Sequence, residues 1–140
     1  MQYYIDTNIF LLLFKYRDEL VPDVSMILGD VHNTLVISVE SVREILMLIK
    51  NGKINFKELR SYDDIIGVLQ NNRVKIRFVD ENHLKKLSDL IPAPNHSDPA
   101  DLMIIAQAIT ENTPIISTDA KFKFYKKQRL QLIQNNNSKR

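Results

Sequence analysis

The chain alternates between two spacings of apolar residues, one typical of strands and one typical of helices. Short apolar runs of strand length occur at 3–5, 35–37, 74–78, 115–116 and 130–133. Apolar residues at helical spacing occur at 41–50, 56–72, 80–91 and 98–112. This alternation predicts an α/β fold of three layers, α/β/α, with a central, mainly parallel sheet covered by helices on both faces.

The length and composition set the domain organisation. A chain of 140 residues suits one domain. We expect residues 1–134 to form it, and residues 135–140 to be a polar, disordered tail. Cysteine is absent, no apolar run approaches the length of a membrane helix, and the N-terminus enters a strand directly. We therefore expect a cytoplasmic protein with no membrane partner.

The charge is nearly balanced, with a formal net charge of +2. Such a value does not by itself indicate nucleic-acid binding. Positive charge is concentrated at 121–129, "KFKFYKKQR", where five basic residues are interleaved with three aromatic ones. The segment is compatible both with a solvated helix face and with a phosphate-binding patch.

Acidic residues occur where predicted strands give way to helices. Asp6 follows the first strand, Glu44 lies two turns into the helix after the second, and Asp101 begins the long helix. Asp119 follows the strand "PIIST". Open α/β sheets bind ligands at the carboxyl ends of their strands, so these acids are candidate functional residues.

Helix capping is the alternative explanation for several of them. Asp6, Asp98 and Asp119 all stand where an N-cap residue is expected, and Pro99 fits the first helical position. Glu44 fits this explanation less well, because its neighbours at helical spacing indicate an inward-facing stripe.

Converging carboxylates need a positive partner, because like charges held close together cannot all ionise. Mg²⁺ or Mn²⁺, as one or two ions, suits oxygen ligands best. Zinc is disfavoured because His32, His83 and His96 are scattered, and we expect each to be a surface or loop residue. Carboxylate-bound Mg²⁺ often takes phosphate oxygens as further ligands, which indicates phosphoryl chemistry.

Four segments resemble PIN-domain ribonucleases, specifically the VapC-like toxins of type II toxin–antitoxin pairs. They are "IDTNIFLLLF", "ISVESVREI" followed by "IKNGKI", "HSDPADLMIIAQAI" and "PIISTDAKF". Each is weak alone, but together they occur in the right order and at suitable spacing. The resemblance implies a PIN fold and a metal-dependent endoribonuclease that leaves a 5′-phosphate and a 3′-hydroxyl.

The resemblance also implies roles for individual residues. The catalytic, metal-binding acids are Asp6, Glu44, Asp101 and Asp119. Their hydrogen-bonding supports are Thr7, Asn8 and Thr118, with Asp98 as a secondary candidate. Glu40 competes with Glu44 for the second acid, but the family's spacing from Ser38 fits Glu44.

Partners follow from the same resemblance, which implies an RNA substrate and a small inhibitory antitoxin. The apolar segment 45–72 could receive the antitoxin or support a homodimer. The chain departs from the closest subgroup at Arg43, where tryptophan is common, and at Ala100 and Leu102, in place of an aromatic residue and an arginine. These changes affect RNA contact more than metal binding.

Two other functions compete with this interpretation. Another Mg²⁺-dependent phosphoryl-transfer enzyme, such as a haloacid dehalogenase-type phosphatase or a receiver domain, can also begin with an aspartate after its first strand. The former needs a second aspartate where this chain has Asn8, and the latter needs an acidic pair near that strand. A non-catalytic PIN-like RNA-binding module is the second alternative.

Overall fold

The computed structural model of the protein describes residues 1–136. Within these residues the strands are β1 Gln2–Ile5, β2 Thr34–Ser38, β3 Val74–Arg77, β4 Ile115–Ser117 and β5 Leu132–Gln134. The α-helices are α1 Thr7–Lys15, α2 Pro22–Gly29, α3 Val39–Lys50, α4 Tyr62–Asn71, α5 Glu81–Asp89 and α6 Pro99–Thr110. Two 3₁₀ helices cover Arg17–Glu19 and Ala120–Gln128. No helix of this described part is long and apolar enough to cross a membrane.

The strands form one sheet in the order β3-β2-β1-β4-β5, and every neighbouring pair is parallel. The central strand is β1. Its last residue, Ile5, is in register with Ile37 of β2 and Ile116 of β4. The residues that follow these three positions therefore meet at one edge of the sheet.

Apolar residues alternate between the two faces of the sheet, as the pleat of a strand requires. Ile5, Ile37 and Ile116 belong to one core, together with buried residues of α1 to α4. The adjacent Tyr4, Val36 and Ile115 belong to a second core, with α6 and the second 3₁₀ helix. The α/β/α architecture predicted from the sequence is confirmed.

The helix predicted at 56–72 is shorter than expected. It begins at Tyr62, because Ser61 and Asp64 form a capping box in which each side chain accepts the other's backbone N–H, at 3.1 Å and 3.2 Å. Before this cap, Phe56 and Leu59 pair as an isolated bridge instead of continuing a helix. The last strand begins later than the predicted 130–133.

Asn135, the first residue of the predicted tail, contacts the segment before α2. Asn135 is only 4% exposed, and its side chain accepts a hydrogen bond from the Val21 backbone N–H at 2.7 Å and donates one to the Glu19 carbonyl at 3.1 Å. These two hydrogen bonds to backbone groups fix the orientation of the amide. The rest of the predicted tail falls mainly on residues 137–140, which lie outside the described residues.

Candidate active site

Asp6 lies directly after the central strand and caps α1. Its Oδ1 accepts a hydrogen bond from the Ile9 backbone N–H at 2.9 Å, and the residue is 7% exposed. Burial raises the pKa of Asp6 to about 6, and the negative charge of Asp101 acts in the same direction. Hydrogen bonds from Ser117 and the Ile9 backbone oppose the rise. Asp6 therefore does cap α1, but the capping hydrogen bond does not fully stabilise its buried negative charge.

Asp98 shapes the start of α6. Its Oδ1 accepts hydrogen bonds from the backbone N–H groups of Ala100 at 2.9 Å and Asp101 at 3.3 Å. Pro99 occupies the first helical position, where a missing N–H costs nothing. The structure thus gives Asp98 the capping role that the sequence suggests, and this cap fixes the turn that carries Asp101.

Asp101 is surrounded by other acids. Burial raises its pKa to about 6, and a hydrogen bond from His96 acts against that rise. The negative charges of Asp98, Glu44 and Asp119 push it further upward. The structure therefore brings acids from separate helices and strand ends into electrostatic contact, and their charges oppose one another.

Glu44 joins the group from α3. The Thr7 hydroxyl donates a hydrogen bond to Glu44 Oε1, which connects the first turn of α1 to the second turn of α3. Glu40, the competing acid, instead accepts two hydrogen bonds from the exposed Arg43, at 2.9 Å and 3.3 Å. Of the two glutamates, only Glu44 is among the charges that raise the pKa of Asp101.

The end of β4 supplies the remaining predicted residues. Asn8 donates a hydrogen bond to the Thr118 hydroxyl at 3.1 Å, which ties the start of α1 to the residue after β4. Asp119 caps the following 3₁₀ helix by accepting from the Lys121 backbone at 2.9 Å. Its own N–H donates to the Ser117 hydroxyl at 2.9 Å.

His96 belongs to the same cluster and was not predicted. It is 4% exposed, and its Nε2 lies 3.2 Å from Asp101 Oδ2. The prediction of surface or loop histidines is correct for the exposed His32. It is wrong for His83, which is 2% exposed within α5. His96 does lie in a loop, as predicted, although the loop buries it. The signal available in the sequence was the position of His96 two residues before a helix cap, after a loop stiffened by prolines.

The donor set fits a hard divalent cation. Carboxylate oxygens of Asp101 and Asp119 lie within 4.8 Å of each other, with a ring nitrogen of His96 within the same distance of both, and one ion can bridge two carboxylates at this separation. The surrounding groups are carboxylate oxygens, the ligands that Mg²⁺ and Mn²⁺ prefer. Burial is the main cause of the raised pKa values of Asp6 and Asp101, and the charges of neighbouring acids add to it.

The basic segment at 121–129 is not a stacking platform for bases. Phe122 and Tyr125 are 1% and 0% exposed and belong to the second core. Lys127 covers the half-buried Phe124, with Nζ 4.0 Å from the ring centroid. The segment is therefore a 3₁₀ helix with a buried aromatic face and a solvated basic face.

Comparisons with known proteins agree with this architecture. The family model for the PIN domain matches residues 3–128. Among curated proteins, none matches the chain significantly.

Three solved structures are similar over nearly their whole length. VapBC2 from Rickettsia felis, bound to a DNA fragment from its promoter, has a TM-score of 0.67 and 19% identity, and 96% of this chain and 98% of that chain are covered. VapBC-1 from nontypeable Haemophilus influenzae has a TM-score of 0.65 and 24% identity, with the same coverage. DNA-bound VapBC from Salmonella typhimurium has a TM-score of 0.63 and 11% identity, covering 97% and 99%. At these identities the likeness shows a shared fold.

Proposed function

Since this chain belongs to the PIN-domain family, we propose that it is a metal-dependent endoribonuclease. The proposed catalytic and metal-binding residues are Asp6, Glu44, Asp101 and Asp119. The observation that carries the proposal is the meeting of carboxylates at the carboxyl edge of the sheet, where the pKa values of Asp6 and Asp101 are both raised to about 6. Carboxylates gathered in this way are suited to a cation, and the bound cation would in turn hold the oxygens of a phosphodiester.

The cofactor in this proposal is Mg²⁺ or Mn²⁺, as one or two ions. When bound, such an ion neutralises phosphate oxygens and lowers the pKa of water, which favours hydrolysis of a phosphodiester. The chain's own residues position the ligands. Thr7 orients Glu44 through its hydroxyl, Asn8 and Thr118 join α1 to the end of β4, and Asp98 fixes the first turn of α6. The expected products are a 5′-phosphate and a 3′-hydroxyl.

Asp6→Asn is the direct test, because asparagine keeps the cap on α1 while removing the charge. Cleavage of total RNA by purified protein should require Mg²⁺ or Mn²⁺, stop in EDTA, and be lost in Asp6→Asn. Asp80→Asn is the matched control, since Asp80 also follows a strand and caps a helix, α5, by accepting from the His83 backbone at 3.2 Å.

Two outcomes contradict the proposal. Full cleavage by Asp6→Asn removes this residue from the centre. RNA binding by the wild-type protein without cleavage in any metal supports the non-catalytic module instead. Another phosphoryl-transfer enzyme of the phosphatase or receiver type is already disfavoured by the match to the PIN-domain model.

The proposed biological role is the toxin of a toxin–antitoxin pair, inhibited by a small protein encoded beside it. Segment 45–72 is the proposed docking surface, and it exposes Met47 by 47% and Tyr62 by 52%. Co-expression should give a copurifying complex that lacks nuclease activity. Met47→Asp should weaken that complex, whereas Met26→Asp on α2, which is 74% exposed, should not.

A homodimer through the same segment is the competing use of this surface. Light scattering on the purified chain distinguishes the two, because a dimer disrupted by Met47→Asp supports self-association. A neighbouring protein that neither copurifies nor inhibits contradicts the antitoxin proposal.

A further inference from the structure

His96 connects the proposed centre to the second core. It lies in the loop before α6, and both of its ring nitrogens have partners. Nδ1 is 2.7 Å from the Tyr125 hydroxyl, and Nε2 is 3.2 Å from Asp101 Oδ2. The imidazole also contacts the rings of Phe122 and Tyr125, at centroid distances of 6.3 Å and 5.5 Å. Its plane is therefore fixed by packing as well as by hydrogen bonds.

The hydrogen-bond directions assign the proton on this ring. The Ala93 backbone N–H donates to the Tyr125 hydroxyl at 3.0 Å. That hydroxyl keeps one proton to donate and lies 2.7 Å from His96 Nδ1. The ionised Asp101 carboxylate has only acceptor oxygens, so the Nε2 that lies 3.2 Å from it is the donor, and Nδ1 is left to accept from Tyr125. A neutral imidazole whose Nδ1 accepts carries its proton on Nε2. The nitrogen that faces Asp101 is thus a donor.

We propose that His96 is a positioning residue for Asp101, with its Nε2–H fixing the carboxylate and Tyr125 fixing the tautomer. The inference rests on the proposed function, in which Asp101 holds the cation. A protonated Nε2 has no lone pair for a metal, so His96 orients the acid and does not bind the ion. Hydrogen-bond partners of metal ligands act in this way in many metal sites.

The arrangement also couples two acids that lie far apart in sequence. Tyr125 belongs to the 3₁₀ helix that Asp119 caps, and through His96 it reaches Asp101 on α6. One segment therefore presents Asp119 directly and holds Asp101 through two side chains. Disturbing Tyr125 should alter the site without removing any carboxylate.

Metal affinity tests the proposal by isothermal titration calorimetry with Mn²⁺ on the full chain. His96→Leu should weaken Mn²⁺ binding roughly 10- to 100-fold, the usual cost of losing a ligand's hydrogen-bond partner. His96→Gln should recover part of the loss, because its amide N–H can replace Nε2–H. Tyr125→Phe should give a smaller loss in the same direction.

His83→Gln is the matched control. His83 is equally buried, and its Nε2 lies 2.8 Å from Glu111, an acid outside the proposed centre. This variant should keep the wild-type Mn²⁺ affinity. Wild-type affinity in His96→Leu overturns the proposal; if that variant does not fold by circular dichroism, His96→Gln and Tyr125→Phe decide by the same measurement.

Nuclear magnetic resonance tests the tautomer without relying on activity. Two-bond ¹⁵N–¹H spectra of histidine-labelled protein should show the Nε2–H form of His96 before and after adding Mg²⁺. An Nδ1–H tautomer, or loss of the Nε2 proton when Mg²⁺ is added, overturns the positioning role. If the wild-type chain neither binds Mn²⁺ nor cleaves RNA, the proposed function fails; if it does both while His96→Leu matches it, only the His96 inference fails.

Discussion

The two ends of α6 each present an acid to a buried histidine, but the surroundings of these acids are opposite. At the C-terminal end, Glu111 accepts hydrogen bonds from Tyr4 and Arg77, both at 2.7 Å, and lies 2.8 Å from His83 Nε2. At the N-terminal end, Asp101 has one such partner, His96, and several carboxylates nearby. The fold supplies donors to one acid and further acids to the other.

The helix dipole sharpens this contrast. A carboxylate is favoured at a helix N-terminus and disfavoured at a C-terminus. Glu111 stands at the unfavourable end and is stabilised by Arg77, whose ion pair with it is 2.7 Å long. Asp101 stands at the favourable end, yet its pKa is raised. Burial and the acids gathered around Asp101 therefore outweigh the favourable helix end, and a cation held between these acids would relieve their repulsion.

The largest expected effects on RNA cleavage and stability come from neutralising Asp101 and Glu111 separately. Asp101→Asn should reduce RNA cleavage by more than the roughly 100-fold that loss of a ligand's partner can cost, without lowering stability at pH 7.5. Glu111→Gln should keep cleavage per folded molecule but lose about 1–3 kcal/mol of stability, because its charge-assisted hydrogen bonds weaken. Cleavage assays and urea denaturation measure both. Equal loss of stability in the two variants would contradict the contrast.

The pH dependence of stability is the next effect. Raising the pKa of Asp6 from 3.8 to about 6 means that the folded state holds its proton more tightly than the unfolded chain. The stabilisation is present at acid pH and is lost as pH rises through about 6. In EDTA at pH 7.5, Asp6→Asn should be more stable than wild type by up to roughly 3 kcal/mol. This difference should shrink toward pH 4.

Denaturation curves across this range measure the effect, with Asp80→Asn as the control. The Asp80 side chain is 63% exposed, so its neutralisation should give no comparable gain at pH 7.5. A wild-type protein whose stability rises relative to Asp6→Asn between pH 4 and 7.5 would show that the charge of Asp6 is already satisfied.

Added Mn²⁺ should stabilise the protein through Asp101, at the N-terminal end of α6, and not through Glu111. At a Mn²⁺ concentration of about 100 times Kd, the free energy of unfolding should rise by about 2.7 kcal/mol. Wild type and Glu111→Gln should both show this rise, and Asp101→Asn should not. Thermal melts with and without Mn²⁺ measure it. A rise of the same size in Asp101→Asn would place the ion elsewhere.

The smallest effects distinguish two glutamates one turn apart on α3. Glu44→Gln should lower cleavage, because Glu44 belongs to the charge group around Asp101. Glu40→Gln should leave cleavage unchanged and cost less than about 1 kcal/mol, since its partner Arg43 is 62% exposed. Cleavage loss in Glu40→Gln alone would favour the competing assignment.

Local patterns were sufficient to predict much of this molecule. The apolar runs at 3–5 and 35–37 lie within β1 and β2, and the acids at the ends of strands were identifiable before any geometry was known. The capping role of Asp98 was also predictable, because Asp-Pro before an apolar helix is a local signal of a helix start. The resemblance to PIN domains added the prediction that Asp6, Glu44, Asp101 and Asp119 form one site.

Long-range contacts account for what was missed. His96 and His83 have partners 29 and 28 residues further along the chain, so their burial depends on contacts that are distant in sequence. Asn135 is fixed by backbone groups more than 100 residues away. The start of α4 at Tyr62 was not predicted, because apolar residues before Ser61 continue the helical spacing. The capping box of Ser61 and Asp64 nevertheless starts the helix only after them.

The order of the strands has a consequence for synthesis of the chain. β1 pairs with β2 early, but its other neighbour, β4, begins only at Ile115, and Asp119 follows it. A ribosome adding roughly 5–20 residues per second completes the N-terminal half well before this strand exists. The nascent polypeptide therefore carries its first acids without the last one until β4 and Asp119 have been synthesised, and the cluster can close only after that point.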